Sequence, residues 1–284
     1  MDLSIAIVNW NTREYLERCL RSIFEHPPDC EFEVIVVDNA STDGSAKLVA
    51  DNFHNVTLIS NSENLGYARG NNQAIETSSG EFILLLNPDI EVKPGALDAL
   101  LAFAKAHPEA AAVGCRLIHP DGRIQRSVRS FPSPAAVLFE YLKISRIFPN
   151  SRLFGRYRMT YFDYSTAAEV DQPMASCLLL SRRALDDVGT FDEQFPIFFN
   201  DVDWCYRAKK KGWKIFFTPD AEVIHHGGAS TTQVRAKMIS ESHRSLARFY
   251  AKHYRGKMCA VIYWLIMIAI FTNSFFASRI KARG

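Results

Sequence analysis

The sequence predicts an α/β fold in which a mostly parallel sheet is flanked by helices. Three observations carry that reading. Short, uninterrupted apolar runs recur through the first 120 of the 284 residues, the pattern of strands buried on both faces. Between the runs the apolar positions change to helical spacing. Several runs close on Asn or Asp at the end where such sheets bind their ligands.

Taken in order, LSIAIVNW (3 to 10) reads as the first strand. The helix after it places Leu16, Cys19, Leu20, Ile23 and Phe24 on one face. FEVIVVDNAS (32 to 41) is a second strand, Asp43-Gly44 turns the chain, and a short helix follows through Leu48 and Val49. VTLIS (56 to 60) and EFILLL (81 to 86) add two strands, separated by a helical stretch around Ala68 to Ile75. Pro94 opens the next helix and Pro108 lies beyond its end. The apolar run from Phe82 to Leu86 stops abruptly at Asn87, Pro88 and Asp89. Asn9 and Asn11 after the first strand, Asp38 and Asn39 at the end of the second, and Asp89 after the fourth are expected to face one crevice.

The second half is less regular. Residues 171 to 185 read as strand then helix, GTFDEQFPIFFND as a loop, and DVDWCYRAKKKGW as a helix ending at Gly212 with Asn200 as its N-cap. KIFFTPDAEVIHHGGAS (214 to 230) forms one or two strands running into a glycine turn. Between Arg123 and Phe162 eight Lys or Arg residues face a single acid, Glu140, among aromatics and leucines. This excursion is either a solvated insertion or a surface for anionic lipid or a lipid diphosphate.

A formal net charge of +2 excludes a general nucleic-acid binder. Six cysteines without a C-x-x-C pair speak against a zinc site or a disulfide framework and suit a reducing cytosol. Met1-Asp2 leads into the first strand without a basic leader or cleavage pattern, so the catalytic part is expected in the cytoplasm. Residues 259 to 277 are 19 uncharged positions that as a helix extend about 28 Å, enough to cross a bilayer. The same segment also suits an interfacial helix, given Thr272, Asn273 and Ser274, or a helix buried against protein.

No G-x-x-x-x-G-K-[ST] loop is present and no G-x-G-x-x-G turn follows the first strand, so ATP hydrolysis and hydride transfer lose ground. The ordered set IAIVNWN, VIVVDNASTDGS, NLGYARGNN, LLLNPD, FFNDVDWCYR and VIHHGGAS, over roughly residues 3 to 235, resembles inverting family 2 glycosyltransferases of the GT-A fold. The likeness is to bacterial rhamnosyltransferases of surface-polysaccharide assembly. It implies a GT-A domain over residues 1 to 232, with the insertion at about 123 to 162. C-terminal helices and the membrane-associating segment would fill residues 233 to 284.

The resemblance implies a role for Asp38 in accepting from the imide nitrogen of a uracil or thymine base. Arg69 would lie near the base and phosphates, with Asn71 and Asn72 on the same wall; a plain surface arginine is the alternative. Asp89 matches the last acid of the family's Asp-X-Asp motif, which holds Mg²⁺ or Mn²⁺ on the donor diphosphate. Asn87 replaces the first acid and Pro88 fills the middle, so substrate oxygens and water must complete the ion's shell. His225 would join the metal site. His226 is the adjacent candidate, and strand neighbours point opposite ways, so only one of the two can ligate. Gly227 and Gly228 would admit a diphosphate close to the backbone. Asp201 matches the catalytic base, its pKa raised beside Phe198 and Phe199; Asp201 and Asp203 also suit the first turn of a helix.

The expected activity is inverting transfer of a sugar from a nucleoside diphosphate donor, dTDP-rhamnose among the candidates, to a hydroxyl of a lipid-linked saccharide or polysaccharide at the cytoplasmic face of a bacterial inner membrane. A polyprenyl-phosphate sugar synthase and a non-catalytic membrane-bound module that binds nucleotide or partner proteins are the alternatives.

Overall fold

A computed structural model describes residues 1–228 and 235–281, without the side chains of 235–237 and 273–281. Ala229, Ser230 and the expected boundary at 232 therefore lie outside the described residues. The chain alternates β1 (Leu3–Asn9), α1 (Arg13–Glu25), β2 (Phe32–Asp38), α2 (Ser45–Asn52), β3 (Val56–Ser60), α3 (Tyr67–Thr77) and β4 (Phe82–Leu86). Then come β5 (Ile90–Val92), α4 (Ala96–Ala106), β6 (Ala110–Ile118), β7 (Ile124–Gln125), β8 (Val128–Arg129), α5 (Pro134–Tyr141) and α6 (Ile144–Ile147). The second half adds β9 (Ala168–Glu169), β10 (Gln172–Pro173), β11 (Cys177–Ser181), α7 (Arg182–Val188), α8 (Asn200–Lys210), β12 (Lys214–His225), α9 (Arg235–His253) and α10 (Ala260–Lys281).

The main sheet runs β3-β2-β1-β4-β11-β6-β12-β5. β1 lies parallel to β2 and β4, β2 to β3, and β12 to β6. All five residues of β4 are buried, because helices cover both faces of the sheet. One face packs on α1 and α4 through Leu16, Leu20, Leu97 and Leu101, the other on α3, α7 and α8 through Ala74, Leu185 and Trp204. The parallel expectation holds for the first half. It fails at β11, which inserts antiparallel between β4 and β6 with Cys177 opposite Leu86 and Leu178 opposite Gly114. That reversal sets Ser176 against Asn87 at the end of β4.

Two further expectations change. Asn200 is the first residue of α8 and not its N-cap. The cap position belongs to Phe199, whose backbone is left-handed at φ 69°. The Asn200 side chain instead donates to the carbonyls of Phe195 and Ile197 and accepts from the Asp201 amide, so it ties the preceding loop to the helix. The segment 259 to 277 forms most of α10, but among the described residues no helix is long and apolar enough to cross a membrane. The described side chains of α10 end at Phe271 and Thr272, a stretch of about 20 Å. Tyr263, Ile266 and Ile270 on that stretch are spent on packing against α9 and α5.

The same cluster joins α5, α8, α9 and α10 through Val137, Val202, Phe249 and Tyr250. Its polar centre is Asp203, which is fully buried. Asp203 accepts from Arg207 Nε at 2.8 Å, Lys252 Nζ at 2.9 Å and His253 Nε2 at 2.7 Å. Burial alone would push this carboxyl up; the three donors outweigh it and hold its pKa at about 2. A depressed folded pKa stabilises the fold above the unfolded carboxyl value and loses that contribution as pH falls through the folded value. Removing the carboxylate strands three donors, two of them permanently cationic at neutral pH. Asp203→Ala is therefore expected to cost on the order of 3 kcal/mol in denaturant melts. Wild-type stability is expected to drop by about 2 kcal/mol between pH 4 and pH 2, and the variant to lack that part of the slope.

Candidate functional site

The site grows from the ends of β1, β2 and β4. Where β4 stops, the Asn87 amide donates to the Ser176 carbonyl at 2.8 Å and its side-chain nitrogen to Ser176 Oγ at 3.2 Å. A turn closed from the Ile90 amide to the Asn87 carbonyl at 3.2 Å then buries Asp89. The strand β5 that follows pairs with β12, with Ile90 opposite His225. This pairing brings His225 Nε2 to 3.4 Å from Asp89 Oδ1.

Gln125 Oε1 lies 2.5 Å from His225 Nδ1 and assigns the proton of a neutral ring to that nitrogen. The Nε2 lone pair then faces the Asp89 carboxylate, an arrangement that a cation between them satisfies. Two donor atoms on neighbouring corners of an octahedral shell with bonds of about 2.1 Å stand about 3 Å apart, close to the observed spacing. Asp89 and His225 thus fit a divalent ion whose other ligands come from substrate and water. Among the described residues no group of three or more His, Cys, Asp or Glu side chains is arranged to hold a metal. His226 turns the other way: its Nε2 meets Glu91 Oε1 at 2.7 Å and its ring tilts against Tyr15. Gly227 and Gly228 follow with φ of 78° and 81°.

Asp201 reaches the same place through the neighbouring peptide. Its Oδ2 accepts from the Ala175 amide at 3.3 Å and its Oδ1 from the Val202 amide at 2.8 Å. The carbonyl of Ala175 in turn accepts from the Tyr67 hydroxyl at 3.0 Å. Tyr67, Ala175 and Asp201 form one hydrogen-bonded line, and Ala175 is chain neighbour to the Ser176 that holds Asn87. The charges of Asp201 and Asp89 both raise the pKa of the buried Tyr67 hydroxyl, after the larger effect of burial, so both acids lie within electrostatic reach of one side chain. The pKa of Asp201 itself is raised by burial, against the pull of the two backbone amides and the Arg129 charge.

On the β1–β2 side, Asn9 Nδ2 donates to Asp38 Oδ1 at 2.8 Å and to Ser41 Oγ at 3.1 Å, and Thr12 donates to Asn9 Oδ1 at 2.6 Å. The Ser41 amide donates to Asp38 Oδ2 at 2.9 Å. Asn11, at φ 51°, accepts from the Thr42 amide at 2.8 Å. Asn39 bonds the Gly66 carbonyl and accepts from Asn61. Asn9, Asn11, Asp38 and Asn39 therefore belong to one network at the ends of two adjacent strands.

Arg69 and Asn72 are placed differently. Arg69 is exposed and pairs with Glu193 at 2.8 Å. Asn72 clamps the backbone of Phe191 through both its amide atoms and also donates to Glu193. Asn71 donates to the Tyr67 carbonyl. The residues that sequence reasoning missed are Tyr67, Ala175, Ser176 and Gln125. Tyr67, Ser176 and Gln125 act on partners 108, 89 and 100 positions away, and Ala175 meets Asp201 across 26 positions, all beyond the reach of a local pattern.

Comparison with known proteins gives the family and the fold. The sequence pattern of glycosyl transferase family 2 matches residues 4–189. The chain is 30% identical over 295 residues to an N-acetylglucosaminyl-diphospho-decaprenol L-rhamnosyltransferase of Mycobacterium tuberculosis, covering 99% of this chain and 94% of that protein. It is 32% identical over 216 residues to the O-antigen biosynthesis protein RfbC of Myxococcus xanthus, covering 74% of this chain and 16% of that one. Among solved structures, the mannosyltransferase PcManGT from Pyrobaculum calidifontis in complex with GDP-Man and Mn²⁺ superposes with a TM-score of 0.60 at 19% identity, over 94% of this chain and 68% of that one. Residues 1–349 of S. aureus TarS superpose at 0.57 and 18%, over 96% and 81%. These likenesses show the fold alone, a GT-A-like α/β arrangement. With the family pattern spanning more than half of the chain, and a relative at 30% identity over nearly all of it, the protein belongs to glycosyl transferase family 2.

Proposed function

We propose that this protein transfers a sugar, with inversion, from a nucleoside diphosphate sugar to a hydroxyl of a lipid-linked saccharide at the cytoplasmic face of a membrane. One observation carries the reading: Asp201 and Asn87 bond the adjacent residues Ala175 and Ser176, and two positions beyond Asn87 the Asp89 carboxylate meets His225. The name of the mycobacterial relative, which points to rhamnose as the sugar and to a diphospho-decaprenol acceptor, supports the choice of substrate class.

In this mechanism the Asp38 network receives the base of the donor, and each Asp38 oxygen keeps a lone pair for it beyond the bonds from Asn9 and Ser41. Asp89 and His225 would hold a divalent ion, Mg²⁺ or Mn²⁺, which when bound would supply positive charge to offset that of the departing diphosphate. Gln125 keeps His225 Nε2 available as a ligand atom. Asp201 accepts the proton of the attacking hydroxyl; the Ala175 amide and the Val202 amide fix its carboxylate, and the Tyr67 hydroxyl fixes the Ala175 peptide. The raised pKa that burial gives Asp201 makes its carboxylate a stronger base. Holding hydroxyl and anomeric carbon in line supplies much of the remaining acceleration.

Asp201→Asn is expected to lower the turnover number by on the order of 10²-fold or more, with donor KM changed only severalfold. Its melting temperature is expected to equal or exceed wild type, because the variant no longer buries a charge. Transfer at undiminished rate in that variant would remove Asp201 from the mechanism. The wild-type rate is expected to fall as pH drops through the raised Asp201 pKa, since protonation removes the base. Gln125→Leu is expected to weaken Mn²⁺ binding, measured by calorimetry without acceptor, by about 10- to 100-fold. Slow hydrolysis across a panel of nucleotide sugars, with chelator and with added Mn²⁺, identifies the donor and tests the metal.

A further inference from the structure

We propose that the basic insertion, residues 123 to 162, is a docking face for an anionic bilayer surface, pressed against the headgroups without crossing them. It rests on the proposed lipid-linked acceptor only for its purpose; its physical basis is independent. Outward from α5 and α6, Leu142, Ile147, Phe148 and Leu153 expose 59%, 68%, 54% and 60% of their surface. Large apolar side chains this open, close together in one short stretch, are unusual on a free protein surface. Lys143, Arg146, Arg152 and Arg156 are interspersed among them and are exposed too.

The charges are unspent. Among the described residues, Arg123 pairs with Asp121 and Arg158 with Glu140, while no carboxylate forms an ion pair with Lys143, Arg146, Arg152 or Arg156. The insertion keeps one outer ring in its own packing, that of Phe148 at 5.7 Å from Phe154. Its inner side is held by Val137 in the cluster with Phe249 and Tyr250, by the Tyr250 hydroxyl on the Pro132 carbonyl at 2.9 Å, and by the Phe139–Phe154 ring contact at 5.0 Å. Unpaired cations mixed with exposed apolar groups complement a surface of anionic headgroups over acyl chains. A second copy of this chain would meet the face with like charge, which disfavours self-association through it.

The position of the face gives it a use. Its Val137 packs in the same cluster as Val202, next to Asp201 on α8, and the Arg129 guanidinium at its base lies 5.9 Å from the Tyr157 ring centre and lowers the Asp201 pKa through its charge. Docking here brings the proposed base to headgroup depth, where a diphosphate-linked saccharide is presented.

The test uses the full-length protein and vesicles alone, with neither donor nor acceptor, so its failure is distinct from failure of the sugar-transfer reading, which donor hydrolysis in solution probes. Sedimentation with vesicles of mixed phosphatidylglycerol and phosphatidylcholine is expected to carry the protein down, vesicles of phosphatidylcholine alone far less, and about 0.5 M NaCl is expected to release it. The triple variant Lys143→Gln, Arg146→Gln, Arg152→Gln is expected to lower the partition coefficient on the order of a hundredfold, at about 1 kcal/mol per cation. Its donor hydrolysis and melting temperature are expected to match wild type. Phe148→Ser with Leu153→Ser is expected to weaken binding to the same vesicles independently. Equal binding to both vesicle types, pelleting without vesicles, no binding at all, or release only by a Trp264→Ser, Leu265→Ser variant of α10 would overturn the proposal.

Discussion

The arrangement depends on one short turn of backbone, Ala175 and Ser176, set against the end of β4. It is there because β11 runs against its neighbours and must begin where β4 ends. From that position Ser176 holds Asn87 through main chain and side chain, and Ala175 holds Asp201. Residues near position 88 and near position 201 thereby share one wall. The turn is fixed on both sides, by the β11 ladder that starts at Cys177 and by the Tyr67 hydroxyl on the Ala175 carbonyl.

Two carboxylates on α8 show how environment divides labour. Asp201 and Asp203 are two positions apart and so face different directions on the helix. Asp203 points into the interior, where Arg207, Lys252 and His253 surround it and make it a strong, permanently charged anchor for α9. Asp201 is held by two backbone amides, no cation among the described residues bonds to it, and burial moves its pKa up instead. The first is suited to holding helices together and unsuited to taking a proton. The second is the reverse.

The histidine pair repeats that division on β12. Alternation along the strand sends His225 to Asp89 and His226 to Glu91. Gln125 then decides which nitrogen of His225 faces the acid, from the strand that opens the basic insertion. The insertion therefore reaches both acidic ends of the candidate site, through Gln125 at the Asp89–His225 pair and through the charge of Arg129 on Asp201. Its outer surface, with exposed cations and apolar groups, is free for a different partner.

The sequence by itself determined the strands and helices of the first half, because uninterrupted apolar runs and helical spacing are local consequences of which faces are buried. It also determined that polar residues close β1, β2 and β4, that one of two adjacent histidines faces away, and that Asp201 and Asp203 share a first helical turn. The tertiary structure decided the rest. The antiparallel sense of β11, the roles of Tyr67, Ala175 and Gln125, and the engagement of Arg69 and Asn72 with the loop at Phe191 and Glu193 all depend on pairs far apart in the chain. The 259 to 277 segment shows the limit from the other side. Hydropathy counts apolar residues without asking what they touch, and Tyr263, Ile266 and Ile270 are buried against the protein's own helices.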